Sequence, residues 1–131
     1  MMLSAGVMVL CVLAEYVCRS IAEKYIAVSH NYGAAFGILW DIPGAALLFS
    51  GVACAGILGV IYFVKMRPVM RLGLSVMAGG ALSNLSERIM WGYVVDWIPV
   101  PFTELQYNLA DVEISLGALI VFMMMMKDSE E

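Results

Sequence analysis

The sequence predicts a mainly α-helical membrane protein with four transmembrane helices, a small extracytoplasmic β-rich cradle and an interfacial helix. The 131-residue chain is 63% hydrophobic and only 14% charged, more apolar than a soluble domain of this size can bury. Four apolar stretches lie near residues 3–22, 44–64, 72–90 and 109–126. Each is long enough to span a membrane, because about 20 helical residues cross the hydrocarbon core. We expect one domain covering residues 1–131.

Basic residues in the short links predict the orientation. Lys65, Arg67 and Arg71 lie between the second and third stretches, and Lys127 follows the fourth. Lys and Arg collect in cytoplasmic loops. Four spans then place both termini in the cytoplasm, and the other two links on the extracytoplasmic side.

The two extracytoplasmic links have patterns of their own. Residues 93–98 alternate β-branched and aromatic side chains, which predicts a short strand ended by Pro99 and Pro101. Residues 36–40 are predicted to lie along the interface as a short amphipathic helix.

Composition argues against several classes of function. The net charge of −4 gives no support to nucleic-acid binding. Cys11, Cys18 and Cys54 lie in apolar stretches without metal-ligand or redox spacing, so they indicate no metal or redox cofactor site and are interpreted as small buried hydrophobic residues. The first stretch lacks a basic leader and a small-residue cleavage site, and is interpreted as a retained helix.

Polar residues of three spans share one depth. The predicted topology places them all near the extracytoplasmic leaflet: Glu15 and Arg19 in the first span, Asn84, Glu87 and Arg88 in the third, and Asn108 and Asp111 in the fourth. Ionisable groups within spans are costly and mark functional sites. The spacings of three and four residues put the members of each set on one helix face.

A pair of carboxylates in this cluster would suit peptide hydrolysis. We expect Glu87 and Asp111 to come within reach of each other. Two close carboxylates share one proton, because their negative charges resist joint ionisation. The ionised member can activate a water while the protonated member donates to the substrate carbonyl, as in aspartic proteases.

Each motif also has a purely structural interpretation. Asn108 and Asp111 fit an N-cap and the acid of a first helical turn. Glu15 and Arg19 fit an ion pair one turn apart. Glu87 and Arg88 fit an interfacial helix end, and His30 fits a solvated loop. The shared depth of the polar groups is what favours a functional site.

The chain resembles the lipoprotein signal peptidases, or signal peptidase II, across most of its length. Asn31-Tyr-Gly-Ala-Ala-Phe-Gly37 resembles the family motif Asn-x-Gly-Ala-Ala-Phe. Gly79-Gly-Ala-Leu-Ser-Asn-Leu-Ser-Glu-Arg88 and Gly92-Tyr-Val-Val-Asp-Trp97 resemble Gly-Gly-x-x-Gly-Asn-x-x-Asp-Arg and Gly-x-Val-x-Asp-Phe. Tyr107-Asn-Leu-Ala-Asp111 resembles Phe-Asn-x-Ala-Asp.

The resemblance implies an aspartic endopeptidase of the bacterial cytoplasmic (inner) membrane, monomeric, surrounded by membrane lipids and without a metal. Its partner would be a prolipoprotein, cleaved just before a diacylglyceryl-cysteine. The resemblance places the catalytic carboxylates on Glu87 and Asp111. It implies substrate-positioning roles for the polar residues around them: Asn31, Asn84, Arg88, Asn108, Glu15 and Arg19.

Several positions depart from the family pattern. Glu87 and Glu15 replace aspartates, Arg19 replaces a lysine and Ser83 replaces a glycine. A glutamate displaces its carboxylate by roughly 1.5 Å, and about 1 Å of misplacement can cost ~10²-fold in rate. The alternative hypothesis is therefore a non-catalytic paralogue that binds lipoproteins or lipopeptides, such as the inhibitor globomycin, without cleaving them.

A third hypothesis is a small four-helix exporter, for which Glu15 would be the essential glutamate of the first span. The long structured links and the cluster near one leaflet argue against it, because transport sites lie near the midplane.

Overall fold

The computed structural model describes residues 1–33 and 44–130, and within these ranges the chain forms four helices. The helices are α1 (Met2–Tyr25), α2 (Ala45–Phe63), α3 (Pro68–Trp91) and α4 (Leu109–Glu130). The predicted mainly helical fold is thus confirmed. The interfacial helix predicted at residues 36–40 lies outside the described residues.

The third helix forms the centre of the bundle. α3 packs against α4, α1 and α2, and its buried residues include both small and charged side chains. Among the described helices, α1, α2 and α4 are long and apolar enough to cross a membrane. α3 is less apolar because its neighbours, rather than lipid, surround much of its surface.

Glycines bring α3 close to two of its neighbours. A Cβ on Gly80 would collide with the carbonyl oxygen of Ala110 in α4, and a Cβ on Gly117 would lie 2.5 Å from the carbonyl oxygen of Gly73. On the other side of α3, a Cβ on Gly79 would collide with the side chain of Cys11 in α1. The α3–α4 seam therefore has almost no space between its backbones.

The third helix begins earlier than expected. Its predicted start was near residue 72, but α3 begins at Pro68. Proline suits the first helical position because its φ is already helical and the missing N–H has no helical acceptor there. The helix ends before Gly92, whose φ of 80° belongs to the left-handed region that favours glycine.

Two small antiparallel sheets lie at one end of the bundle. β1 (Ser29–Asn31) pairs with β2 (Val94–Asp96), and β3 (Ile98–Pro99) pairs with β4 (Gln106–Tyr107). The single strand predicted over residues 93–98 is therefore two strands. The chain changes partner at Trp97, whose N–H donates to the Tyr107 carbonyl oxygen at 2.8 Å.

Pro99 does not stop the strand as expected. It forms the end of β3, opposite Gln106, in a two-stranded sheet where both strands are edges. Proline is tolerated at such positions, since an edge strand leaves some N–H groups without a ladder partner.

Both chain ends lie at the opposite end of the bundle from the sheets. Arg67 Nη1, before α3, lies 2.8 Å from Asp128 Oδ1 near the end of α4. Arg71 Nη1 donates to the Ile61 carbonyl oxygen at 3.1 Å and lies 4.0 Å from Met1 Sδ. The polar cluster is therefore at the far end from the basic turn.

Candidate active site

Asp96 lies at the end of β2 and is almost completely buried, with 4% of its surface exposed. Its Oδ2 accepts a hydrogen bond from Asn31 Nδ2 at 3.0 Å, across the β1–β2 sheet. Its Oδ1 accepts from Asn108 Nδ2 at 2.9 Å. Two amide donors thus fix the orientation of this carboxylate.

Asp111 lies in the first turn of α4, where the helix dipole favours a negative charge. Its Oδ1 accepts from Asn84 Nδ2 at 3.0 Å and its Oδ2 from the Asn108 backbone N–H at 3.3 Å. Its own N–H donates to Asn108 Oδ1 at 2.8 Å. These reciprocal bonds form a capping box, which confirms the N-cap interpretation of Asn108 and Asp111.

Asn108 joins the two aspartates. The side-chain amide, 1% exposed, donates to Asp96 and also to Asn84 Oδ1 at 3.1 Å, while its oxygen holds the Asp111 N–H. Asn84 closes the ring by donating to Asp111. The two carboxylates therefore lie on either side of one asparagine and interact electrostatically.

A positive charge lies beside this pair. Arg88, on α3, donates from Nη2 to the Gly33 carbonyl oxygen at 2.7 Å and from Nη1 to the Asn84 carbonyl oxygen at 3.4 Å. Its charge acts on both Asp96 and Asp111. Because an opposite charge favours ionised carboxylates, Arg88 limits the cost of placing two acids together.

The environment of Asp96 shifts its pKa into a useful range. Burial raises the pKa of Asp96 from 3.8 to about 6, and the charge of Asp111 adds to the rise. The hydrogen bonds from Asn31 and Asn108, with the Arg88 charge, act in the opposite direction. A carboxylic acid with this pKa can hold or release a proton near neutral pH.

Glu87 lies in a different cluster from the one we expected. Its Oε2 accepts the Val95 N–H at 2.9 Å, and its Oε1 lies 3.5 Å from Arg19 Nε. Consecutive helical positions differ by about 100°, so Glu87 and Arg88 point to different neighbours of α3. Glu87 turns toward α1, while Arg88 turns toward the pair formed by Asp96 and Asp111.

The structure thus divides the predicted site residues into two groups. Asn31, Asn84, Arg88, Asn108 and Asp111 surround Asp96. Glu15, Arg19 and Glu87 form a second buried cluster between α1 and α3. Within it, Glu15 Oε2 accepts the Ala110 N–H at 3.0 Å.

Asp96 was missed as a site residue because its alternating neighbours indicated only a strand. A signal was present: Asp96 is the single charged residue among the hydrophobic residues 93–98. A carboxylate in a strand that is otherwise apolar is expensive to bury and therefore suggests a site.

Comparison with known proteins shows the family to which the chain belongs. The sequence model of the signal peptidase (SPase) II family matches residues 4–127. The chain belongs to the signal peptidase II family. The predicted resemblance is therefore confirmed, and this signal peptidase II family member is a peptidase and a multi-pass bacterial membrane protein. The exporter hypothesis is not supported.

Named relatives of this family member are lipoprotein signal peptidases. That of Teredinibacter turnerae is 31% identical over 138 residues, covering 88% of this chain and 82% of the relative. That of Pelotomaculum thermopropionicum is 38% identical over 111 residues, covering 82% and 70%.

Solved structures share the fold. One bacterial membrane enzyme, determined at 2.3 Å, superposes with a TM-score of 0.81 at 23% identity, covering 98% of this chain and 90% of the other. A second, determined at 1.9 Å, gives a TM-score of 0.79 at 20% identity, covering 98% and 95%.

Proposed function

We propose that this signal peptidase II family member removes the signal peptide of prolipoproteins, cutting just before a diacylglyceryl-cysteine. Its relatives carry the name lipoprotein signal peptidase. The observation that carries the proposal is the pair of aspartates joined by Asn108, of which Asp96 is buried. Such a pair can activate water for peptide hydrolysis without a metal or cofactor.

The catalytic pair we propose is Asp96 with Asp111, in place of Glu87 with Asp111. Asn108 bonds to both aspartates, and the Asp111 charge contributes to the raised pKa of Asp96. One carboxylate oxygen of Glu87 accepts the Val95 N–H, and the other pairs with Arg19. It therefore supports the strand that carries Asp96, and its length need not match that of an aspartate at the reacting centre.

The chemistry follows from one proton shared by the pair. The ionised carboxylate takes a proton from water as the water oxygen bonds to the scissile carbonyl carbon. The protonated carboxylate donates to the carbonyl oxygen. When the intermediate collapses, the C–N bond breaks and the leaving nitrogen takes the proton that the first carboxylate removed from water. The second carboxylate recovers its proton from the hydroxyl group of the former carbonyl oxygen. No step changes an oxidation state.

The polar residues around the pair hold it in place. Asn31, Asn84 and Asn108 orient the carboxylate oxygens, and Arg88 fixes the backbone at Gly33 next to Asn31. We propose that Asn31 and Arg88 also position substrate, because both lie where β1 meets the pair. Glu15 and Arg19 act from the second cluster instead of touching substrate.

We propose that all four helices cross the bacterial inner membrane and that the pair faces its extracytoplasmic side. α3 has 24 residues. That length corresponds to ~36 Å of helix, enough for a ~30 Å core. The basic turn and both chain ends share the end opposite the sheets, which supports a cytoplasmic location for that end. The site uses residues of one chain, so we propose a monomer among membrane lipids.

Cleavage by purified variants tests the proposal. Wild-type protein, Asp96→Asn, Asp111→Asn and Glu87→Gln would each be incubated with a diacylglyceryl prolipoprotein. We expect cleavage by the wild type and a loss of at least ~10²-fold in both Asn variants, as for removal of a positioned acid or base. Glu87→Gln should retain far more activity than either, because glutamine still accepts the Val95 N–H.

The results separate three alternatives. Inactive Glu87→Gln with active Asp96→Asn would assign the pair to Glu87 and Asp111. Equal cleavage by all variants would refute the peptidase proposal. A wild-type protein that binds globomycin but cuts nothing would be the non-catalytic paralogue.

A further inference from the structure

Two buried glutamates hold the backbone immediately before the two aspartates. Glu87 Oε2 accepts the N–H of Val95, one residue before Asp96, at 2.9 Å. Glu15 Oε2 accepts the N–H of Ala110, one residue before Asp111, at 3.0 Å. The same type of contact thus occurs at equivalent positions next to each member of the pair.

These N–H groups lack the usual secondary-structure acceptors. Ala110 lies in the first turn of α4, where backbone N–H groups have no acceptor within the helix. Asn108 already accepts the Asp111 N–H, and Glu15 serves Ala110 from α1. Val95 lies in β2, whose register pairs it with His30, yet its N–H bonds to Glu87 on α3.

The two glutamates are linked through α1. Arg19 lies one turn after Glu15 and its Nε is 3.5 Å from Glu87 Oε1. The guanidinium carbon of Arg19 is 4.3 Å from the centre of the Trp91 ring, which helps to fix its position. The carboxylates of Glu15 and Glu87 are close enough to interact electrostatically. One helix therefore supplies the first acceptor and the cation that holds the second.

The cluster has the burial expected of a fixed support. Glu15 is 2% exposed and Glu87 is 5% exposed. At such burial an N–H···carboxylate bond is strong, and its loss leaves a buried N–H without an acceptor. A displaced Val95 or Ala110 would move the neighbouring aspartate by the same backbone shift.

We propose that Glu15 and Glu87 are positioning residues that set the spacing between Asp96 and Asp111, with Arg19 joining them. This inference rests on the proposed function of the pair. In this proposal the side-chain oxygen acts as a hydrogen-bond acceptor for the backbone. Glutamine at either position should therefore support activity, whereas a side chain of similar length without an acceptor should not support it. It also predicts a change in kcat with little change in KM, since substrate does not touch the cluster.

The test uses matched substitutions in the full-length protein. Glu15→Gln and Glu87→Gln keep an acceptor, whereas Glu15→Met and Glu87→Met keep the length and remove it. A cavity of about 170 Å³ adjoins both residues and gives the methionines room. Glu113→Met is the control, because Glu113 is also buried but neither Val95 nor Ala110 donates to it.

We expect each Met variant to lose about 10²-fold in kcat, the cost of roughly 1 Å of misplacement, with KM within about threefold. The Gln variants should stay within about tenfold of the wild type in kcat, and Glu113→Met should match it. Loss in KM alone, or Gln variants as poor as the Met variants, would overturn the inference. So would a wild-type kcat in both Met variants when Asp111→Asn is inactive.

Amide hydrogen exchange gives a readout independent of cleavage. The Ala110 amide should exchange faster in Glu15→Met and the Val95 amide faster in Glu87→Met, with protection retained in the Gln variants. Unchanged protection in the Met variants would overturn the inference even if the wild-type protein cleaved nothing. A wild type without cleavage would refute only the proposed function.

Discussion

Both the nitrogen and the oxygen of the Asn108 side-chain amide have hydrogen-bond partners within the protein. Both donors are engaged, by Asp96 and Asn84, and its oxygen accepts the Asp111 N–H. The residue is therefore at once a helix cap and the bridge between two acids. Removing the side-chain amide therefore abolishes both roles together.

Replacing Asn108 with alanine should reduce cleavage strongly. We expect Asn108→Ala to lower kcat by at least ~10²-fold, because both carboxylates lose an orienting partner and α4 loses its cap. Single-turnover cleavage would measure the loss. Asn108→Ser keeps a capping oxygen and serves as the comparison. If both variants cleave at the wild-type rate, Asn108 does not bridge the pair in the working enzyme.

The pH dependence should depend on Asn31. Its hydrogen bond stabilises the ionised form of Asp96, so Asn31→Ala should raise the pKa of Asp96 above its value of about 6. If activity needs one proton on the pair, the alkaline limb of kcat/KM should move to higher pH. A full pH profile would measure this shift.

His30→Gln is the control for this experiment, because His30 lies next to Asn31 in β1 and its replacement removes neither hydrogen bond to the Asp96 carboxylate. The alkaline limb should stay in place in His30→Gln. A limb that follows His30 and ignores Asn31 would contradict the assignment to the pair.

The sequence predicted which residue types would gather, but not all of their contacts. Asn84, Asn108 and Asp111 share a depth that follows from helix length and topology, and they do meet. The separation of Glu87 from Asp111 depends on which neighbour each face of α3 contacts. That contact is set by packing between helices, which spacing along one helix does not determine.

Among the elements, α3 and α4 are joined by the closest contact. The Cα of Gly80 faces the Ala110 carbonyl oxygen, and Ala110 directly precedes Asp111. Backbone atoms cannot rotate away as a side chain can. Any side chain at position 80 must therefore push α4 outward together with its aspartate.

Gly80→Ala should destabilise the protein and lower its activity. We expect a cost of about 1–3 kcal/mol from overpacking, together with reduced kcat. Gly56→Ala on α2 is the matched control, because a Cβ there meets nothing within 4 Å. It should instead be neutral or stabilise by up to about 1 kcal/mol through helix propensity. Thermal unfolding in detergent would measure both, and equal effects would contradict the close seam.

At the level of elements, the helices were predictable and the strands only in part. Long apolar stretches indicate helices without knowledge of their partners. The partner change at Trp97 could not be predicted from the alternation of residues 93–98, because it depends on Tyr107, which lies in a later strand.

Across the whole molecule, the two ends should have opposite access. Glu104 is exposed near the sheets and Lys65 is exposed in the basic turn. The experiment uses a background variant in which Cys11, Cys18 and Cys54 are replaced by alanine. In cells with a permeabilised outer membrane and an intact inner membrane, a membrane-impermeant maleimide should label Glu104→Cys. Lys65→Cys should react only after the inner membrane is lysed.

The reverse labelling pattern would place the pair on the cytoplasmic side and contradict the proposed topology. Labelling of both positions before lysis would contradict the single span, α3, that we propose between Lys65 and Glu104. The placement of Lys and Arg predicts this orientation. The contact of Arg67 with Asp128 could not be predicted from the sequence, since it depends on how α3 and α4 lie side by side.

The glycine contacts between α3 and α4 also restrict the paths by which a substrate can reach the aspartates from the bilayer. In the proposed function, the substrate is anchored in the bilayer by its acyl chains and reaches the aspartates from the side of the bundle. Gly73, Gly80 and Gly117 leave no gap for an acyl chain along the α3–α4 seam. Under the proposed function, the acyl chains therefore reach the aspartates by a path other than the α3–α4 seam.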